Sequence, residues 1–397
     1  MLTSLGLIFL LGLMMGSIFN KLKLPGLLGM IITGMILSPY ALNLLDSSIL
    51  GISADLRQLA LIIILTRAGL SLDIGDLKKV GRPAILMCFL PACFEIVAVI
   101  LIAPRVLDIS ILDAAIMGSV LAAVSPAVVV PRMLKIMEEG YGKERSIPQL
   151  ILAGASVDDV FVIVLFTAFT SLATGGEISP ASFLQVPISI ILGIIIGALL
   201  GIGLCIFFKK FHMRDSVKIL IILSLSFLLI ELQDRLEGII PISGLLGIMS
   251  MGIAIYQKYK KLAERLSIKY SKLWVVAEVL LFVLVGATVD VNYAIKAGVD
   301  SIVIVLGALV FRMIGVYVCL IKTKLTIKER LFCMLAYTPK ATVQAAIGAI
   351  PLSMGLASGQ HILTVAVLSI LITASLGAIC IDRLYDKLLR VSTTPSP

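Results

Sequence analysis

Two aspartates, Asp158 and Asp159, stand side by side in an otherwise almost wholly apolar stretch, ASVDDVFVIVLF. A carboxylate in a low-dielectric cavity is a hard oxygen ligand. It holds a proton or a small cation, but not both comfortably, so the two compete for it. Adjacent positions on a helix point about 100° apart, so both side chains reach one cavity edge but not one spot. The plainer reading is a pair of buried acids satisfied by hydrogen bonds.

Other ionisable residues lie at comparable depth in apolar stretches: Arg67, Arg312 and Lys340 among the bases and Glu95 among the acids, with Glu278 nearer an end. A charge at mid-bilayer costs roughly 2.5–3.5 kcal/mol even on a lenient insertion scale. Deep charges of both signs must therefore pair or face a water-filled cavity. Two apolar stretches are interrupted by proline near their centres. SVLAAVSPAVVVP breaks at Ser125-Pro126, with Pro131 following, and MLAYTPKATVQAAIG breaks at Thr338-Pro339 beside Lys340. Proline removes a backbone donor and frees the carbonyl one turn earlier. Broken helices of this kind expose half-helix ends whose dipoles act on ions.

The elements that position these residues are membrane spans. Of the 397 residues, 59% are hydrophobic and 14% charged, and the apolar residues arrive in long blocks without strand or amphipathic periodicity. The blocks predict about thirteen transmembrane helices, an all-α membrane protein. The spans fall at 2–19, 24–40, 54–72, 82–107, 111–137, 147–172, 183–208, 215–232, 239–256, 273–288, 297–321, 327–354 and 359–380. The first block lacks a basic leader and a small-residue cleavage site, so it reads as a retained span. No polar stretch is long enough for a soluble domain, and the chain reads as one transmembrane domain.

Basic residues test the count. With these spans, 26 Lys and Arg fall on one side of the membrane and Arg57, Arg105, Arg235 and Lys296 on the other, together 30 of 33. The positive-inside rule then puts the N-terminus outside and the C-terminus in the cytoplasm. The net charge of +9 is thus topological, with attraction to anionic lipid secondary and no implication of nucleic acid. Segment 258–272, KYKKLAERLSIKYSK, reads as a cytoplasmic amphipathic linker. The two proline breaks lie an odd number of spans apart, the mark of inverted-topology repeats. Residues 1–172 would correspond to 215–380, with 183–208 as a connecting helix. Glycines at helix-contact spacing (Gly26, Gly29 and Gly34; Gly193, Gly197 and Gly201) predict close helix packing. The six cysteines all lie in apolar blocks with no paired or metal-ligand spacing, and read as small hydrophobes.

Four stretches, VSPAVVVPRML, IPQLILAGASVDDV, LTRAGLSLD and TPKATVQAAIG, resemble the monovalent cation/proton antiporter superfamily. They are most similar to its subgroup of sodium/proton antiporters with a double aspartate. The resemblance extends over essentially the whole chain and implies two crossed discontinuous helices in a core domain. That core would move against a dimerisation domain of a homodimer, elevator fashion, in the cell (inner) membrane. It implies that Asp159 is the cation-binding and proton-carrying carboxylate and that both Asp159 and Asp158 face the Na⁺. Asp158 stands where electroneutral relatives have Asn, which implies electrogenic exchange of Na⁺ or Li⁺ for protons. Lys340 and Arg312 match bases that neutralise core acids, and Glu95 matches an acid of the subgroup; which base pairs with which acid stays open. Ser125 and Thr342 are candidate hydroxyl contacts to the ion, beside the break residues Pro126, Thr338 and Pro339.

The expected class is therefore a transporter, not an enzyme, with no cofactor and with monovalent cations, protons and lipid as partners. Potassium in place of sodium is the nearest rival. A cation channel would show a continuous polar stripe or a filter loop, and a membrane aspartyl protease needs its two Asp on separate helices. Neither pattern is present in the sequence.

Overall fold

The computed structural model describes residues 1–71, 81–174, 180–236, 240, 242–290, 293 and 298–390. Lys78, Lys79 and Lys296, counted above for charge asymmetry, and the expected span ends at 72, 239 and 297 lie outside them. Among the described residues the regular structure is helical throughout. The chain begins with α1 (Leu2–Lys21), α2 (Gly26–Leu37), α3 (Ser47–Gly51) and α4 (Ser53–Ser71). Next come α5 (Arg82–Met87), α6 (Leu90–Leu107), α7 (Ile111–Leu121), α8 (Pro126–Glu138) and α9 (Ile147–Thr174). The middle holds α10 (Pro180–Lys210), α11 (Asp215–Arg235), α12 (Gly244–Lys258) and α13 (Lys260–Ala287). The last are α14 (Gly298–Cys319), α15 (Ile327–Ala336), α16 (Thr342–Ile347), α17 (Ile350–Ser353) and α18 (Gly359–Leu388).

Among the described residues, eight helical stretches are long and apolar enough to cross a membrane: α1, α5 with α6, α7 with α8, α9, the latter part of α10, α13, α14 and α18. This is a multi-pass membrane protein. The reading of thirteen spans draws in addition on α2, α4, α11, α12 and the α15–α17 stretch.

Prolines and polar caps decide where the helices stop. Ser110 accepts from the Asp113 N–H at the start of α7, and Thr326 forms a capping box with Glu329 at the start of α15. Both satisfy orphan N–H groups of a first turn. The stretch expected as one span at 82–107 is instead two helices, parted at Cys88 and Phe89. Pro91 has no N–H for the Met87 carbonyl one turn back, and that carbonyl accepts from the Tyr337 hydroxyl at 3.0 Å. Segment 260–272 runs without a break into 273–287, so the expected linker and the span after it form one 28-residue helix.

The chain divides into two compact units, each discontinuous in sequence. The first comprises 1–54, 75–162 and 279–397, the second 55–74 and 163–278. In the first unit, α6 packs along α14 and α1 along α2. An apolar cluster including Val124, Met133, Ile147, Phe332 and Tyr337 reaches both proline breaks. In the second unit, α10 packs along α12. There, Gly193 and Gly201 let the carbonyls of Ser243 and Met251 approach to 2.5 Å from where a Cβ would stand. Close approach of this kind drives helix association where lipid is as apolar as the side chains.

Candidate functional site

The residues singled out for chemistry converge in the first unit. Each proline break is a short non-helical segment. Residues 122–125 separate α7 from α8, with Ser125 as the cap of α8 and Pro126 as its first residue. Residues 337–341 separate α15 from α16 and contain Thr338, Pro339 and Lys340. The breaks meet: the Ser125 N–H donates to the Pro339 carbonyl at 2.7 Å. Pro126 leaves the Ala122 carbonyl without its helical donor, and Arg312 of α14 supplies one from Nη1.

Arg312 is the hub. Its side chain is wholly buried and all three of its guanidinium nitrogens donate. Nη2 donates to Asp158 Oδ2 at 2.7 Å, Nη1 to Glu95 Oε2 at 2.9 Å, and Nε to the Tyr337 carbonyl at 2.7 Å. Asp158 Oδ2 also accepts from the Val124 N–H at 2.8 Å. Lys340 Nζ lies 2.5 Å from Glu95 Oε1 and donates to the Leu121 carbonyl at 2.6 Å. The Lys340 N–H donates to Thr373 Oγ1 of α18 at 3.0 Å. The pairing that sequence left open is thus decided: Arg312 bridges Asp158 and Glu95, and Lys340 takes the other oxygen of Glu95.

Asp159 differs from its neighbour. Among the described residues it has no hydrogen-bond or ion-pair partner, and its Oδ1 is shielded from solvent. Asp158 Oδ1, Ser125 Oγ, Thr342 Oγ1 and Gln344 Oε1 are also buried oxygens without a partner there. Unpaired buried oxygens carry a desolvation penalty, which a cation or a proton relieves. Two acids and two bases, Asp158, Glu95, Arg312 and Lys340, balance in charge. Asp159 is the fifth group, so the cluster carries one uncompensated negative charge whenever Asp159 is ionised and unoccupied.

A family profile described as "Sodium/hydrogen exchanger, transmembrane" matches residues 6–386. The chain belongs to the sodium/hydrogen exchanger family. Sodium/hydrogen exchanger 9B2 of Homo sapiens is 32% identical to it over 384 residues, covering 92% of this chain and 70% of that protein. Sodium/hydrogen exchanger 9B1 of Macaca fascicularis is 33% identical over 361 residues, covering 87% and 69% respectively. The solved structure of the sodium proton antiporter MjNhaP1 from Methanocaldococcus jannaschii shares the fold, with a TM-score of 0.84 over 97% of both chains at 21% identity. The resemblance to the monovalent cation/proton antiporter superfamily is borne out by these matches.

In this exchanger-family chain, three residues beside the site carried no assignment from sequence: Gln344, Tyr337 and Thr373. Gln344 is buried and donates from Nε2 to the carbonyls of Leu121 at 3.1 Å and Ala123 at 2.9 Å. Its signal was present, as a lone amide within the apolar run after Pro339. Arg67 and Glu278, also noted as deep charges, belong to the second unit, where they attract one another.

Proposed function

We propose that the chain is a sodium/proton antiporter in which Na⁺ (or Li⁺) and H⁺ compete for Asp159. The charge balance around Asp159 carries this reading. With the other four buried charges neutralised in pairs, Asp159 needs one positive partner. A proton and a monovalent cation are the two candidates a buried carboxylate accepts. The unpartnered oxygens of Ser125, Thr342 and Asp158 are the neighbours assigned to a bound cation. An empty, ionised Asp159 makes crossing the bilayer costly, so the carrier moves with one or the other aboard. The reading includes an elevator-type movement of a core against a dimerisation domain in a homodimer, with the C-terminus cytoplasmic. The two proline-broken segments and the charge asymmetry support it. Potassium exchange on the same fold is the alternative cargo.

Asp158, in place of Asn, supports electrogenic exchange, with a second proton taken by Asp158 when it leaves Arg312. A cycle in which Asp158 keeps that partner is electroneutral, and the 2.7 Å bond to Arg312 favours this second reading. One experiment separates them. Wild type and Asp159→Asn are sealed into vesicles with an internal pH dye, and Na⁺, Li⁺ or K⁺ is added with the voltage clamped or free. Na⁺- or Li⁺-driven proton movement that is absent in Asp159→Asn supports the exchange. Acceleration when the voltage is dissipated identifies electrogenic transport, and indifference to voltage identifies the electroneutral cycle. Proton movement driven only by K⁺ makes potassium the cargo, and none with any cation overturns the antiporter.

A further inference from the structure

The Ala123–Val124 peptide group is gripped from both sides. Its N–H donates to Asp158 Oδ2 at 2.8 Å, and its carbonyl accepts from Gln344 Nε2 at 2.9 Å. A trans peptide sends its N–H and C=O in opposite directions in one plane, so the amide and the carboxylate hold opposite edges of the same rigid group. Gln344 sits on α16, after the second break, whereas the peptide belongs to the first break and Asp158 to α9. Its Nε2 also donates to the Leu121 carbonyl at 3.1 Å, which commits both amide hydrogens. Among the described residues, the other side chains that donate to the carbonyls of 121–123, Arg312 and Lys340, are cations tied to Asp158 and Glu95. Gln344 is a neutral side-chain donor, so its hold does not depend on the charge state of the acids.

We propose that Gln344 is a positioning residue for Asp158, fixing the plane of the 123–124 peptide and so the direction from which its N–H meets the carboxylate. Hydrogen bonds in series also polarise one another, so the donor on the carbonyl strengthens the N–H that Asp158 accepts. In its transport consequence this rests on the exchange proposed above.

The test uses Gln344→Met, which keeps the bulk and removes the donors together with Oε1, and Gln344→Glu, which keeps Oε1, is near-isosteric and donates only when protonated. Recovery in Gln344→Glu on protonation therefore isolates the donor. In vesicles, Gln344→Met should raise the half-saturating Na⁺ by about tenfold and move the pH at which protons displace Na⁺ by about one unit. Its maximal rate should stay within a few-fold of wild type. Gln344→Glu should depart from wild type at alkaline pH, where its carboxylate has lost the donor and adds a negative charge, and return toward wild type on acidification. A loss of maximal rate alone, or a Gln344→Glu profile that tracks Gln344→Met at every pH, overturns the proposal. A second readout does not need transport: the Asp158 carboxylate infrared band of isotope-labelled protein in detergent, assigned with Asp158→Asn. It should shift in Gln344→Met and recover in acidified Gln344→Glu, and an unmoved band overturns the proposal. If wild type drives no exchange, the antiporter reading fails while the band still decides on Gln344. If Gln344→Met does not fold, Gln344→Glu at high and low pH supplies both the loss and the rescue.

Discussion

Arg312 Nη2 lies 2.7 Å from Asp158 Oδ2, and neither side chain has any exposure to solvent. The same guanidinium holds Glu95 at 2.9 Å and reaches backbone carbonyls of both proline breaks. One side chain of α14 thereby ties α6, α9 and the two unwound segments together. Removing it leaves two buried acids facing the single charge of Lys340. Arg312→Met should destabilise the protein by roughly 3–5 kcal/mol, the usual range for an orphaned buried charge. Adding Asp158→Asn should recover part of that loss. Thermal melting in detergent, read by tryptophan fluorescence or gel filtration, checks both.

The two aspartates should respond differently to neutralisation. Asp158→Asn breaks a buried ion pair while keeping an acceptor for the Val124 N–H, and should lower stability by roughly 1–3 kcal/mol. Asp159→Asn removes a half-buried carboxyl that has no partner among the described residues, and should leave the melting temperature unchanged or raise it. Melting curves without added Na⁺ distinguish the two, and equal destabilisation would sink the assignment of separate roles.

Competition for one carboxylate has a pH signature. As pH falls, the half-saturating Na⁺ should rise, approaching about tenfold per pH unit if one proton displaces each cation. A limiting slope of about two on the same logarithmic plot would mean that Asp158 releases Arg312 and takes a proton as well. Initial rates of dye response over a Na⁺ and pH grid give the slope directly, and a half-saturation independent of pH would end the competition model.

Tyr337 stands in for the donor that Pro91 lacks. Tyr337→Phe should cost about 1 kcal/mol, since the Met87 carbonyl then loses this partner while packing in the apolar cluster persists. A Cβ at position 154 would collide with the Tyr337 hydroxyl and meet Met87 Cβ at 3.0 Å. Gly154→Ala should therefore destabilise more in wild type than in Tyr337→Phe, and a double-mutant melting cycle measures that difference.

Much of the site was legible because the bilayer makes polar residues conspicuous. Asp158, Asp159, Glu95, Arg312 and Lys340 stand out against apolar surroundings, and Pro126 and Pro339 mark where helices must yield. The pairing was not legible, because Arg312 and Glu95 are 217 residues apart and Lys340 and Glu95 are 245 apart along the chain. Charge complementarity allowed either base for either acid. The break at Cys88 and Phe89 was also missed, since Pro91 at the start of a helix is well tolerated and the apolar run continues through it.

Composition and block length, by themselves, determined that this chain is a multi-pass helical membrane protein, because backbone groups in lipid must be satisfied within helices. Residue type also determined which side chains needed partners. Only the tertiary structure decided who the partners are. Arg312 reaches Asp158 rather than Asp159, and Gln344 grips the peptide that Asp158 also holds. Adjacent aspartates point about 100° apart on their helix, and it is the packing of α6, α14 and the two breaks around that helix that occupies one direction and leaves the other carboxylate without a partner among the described residues.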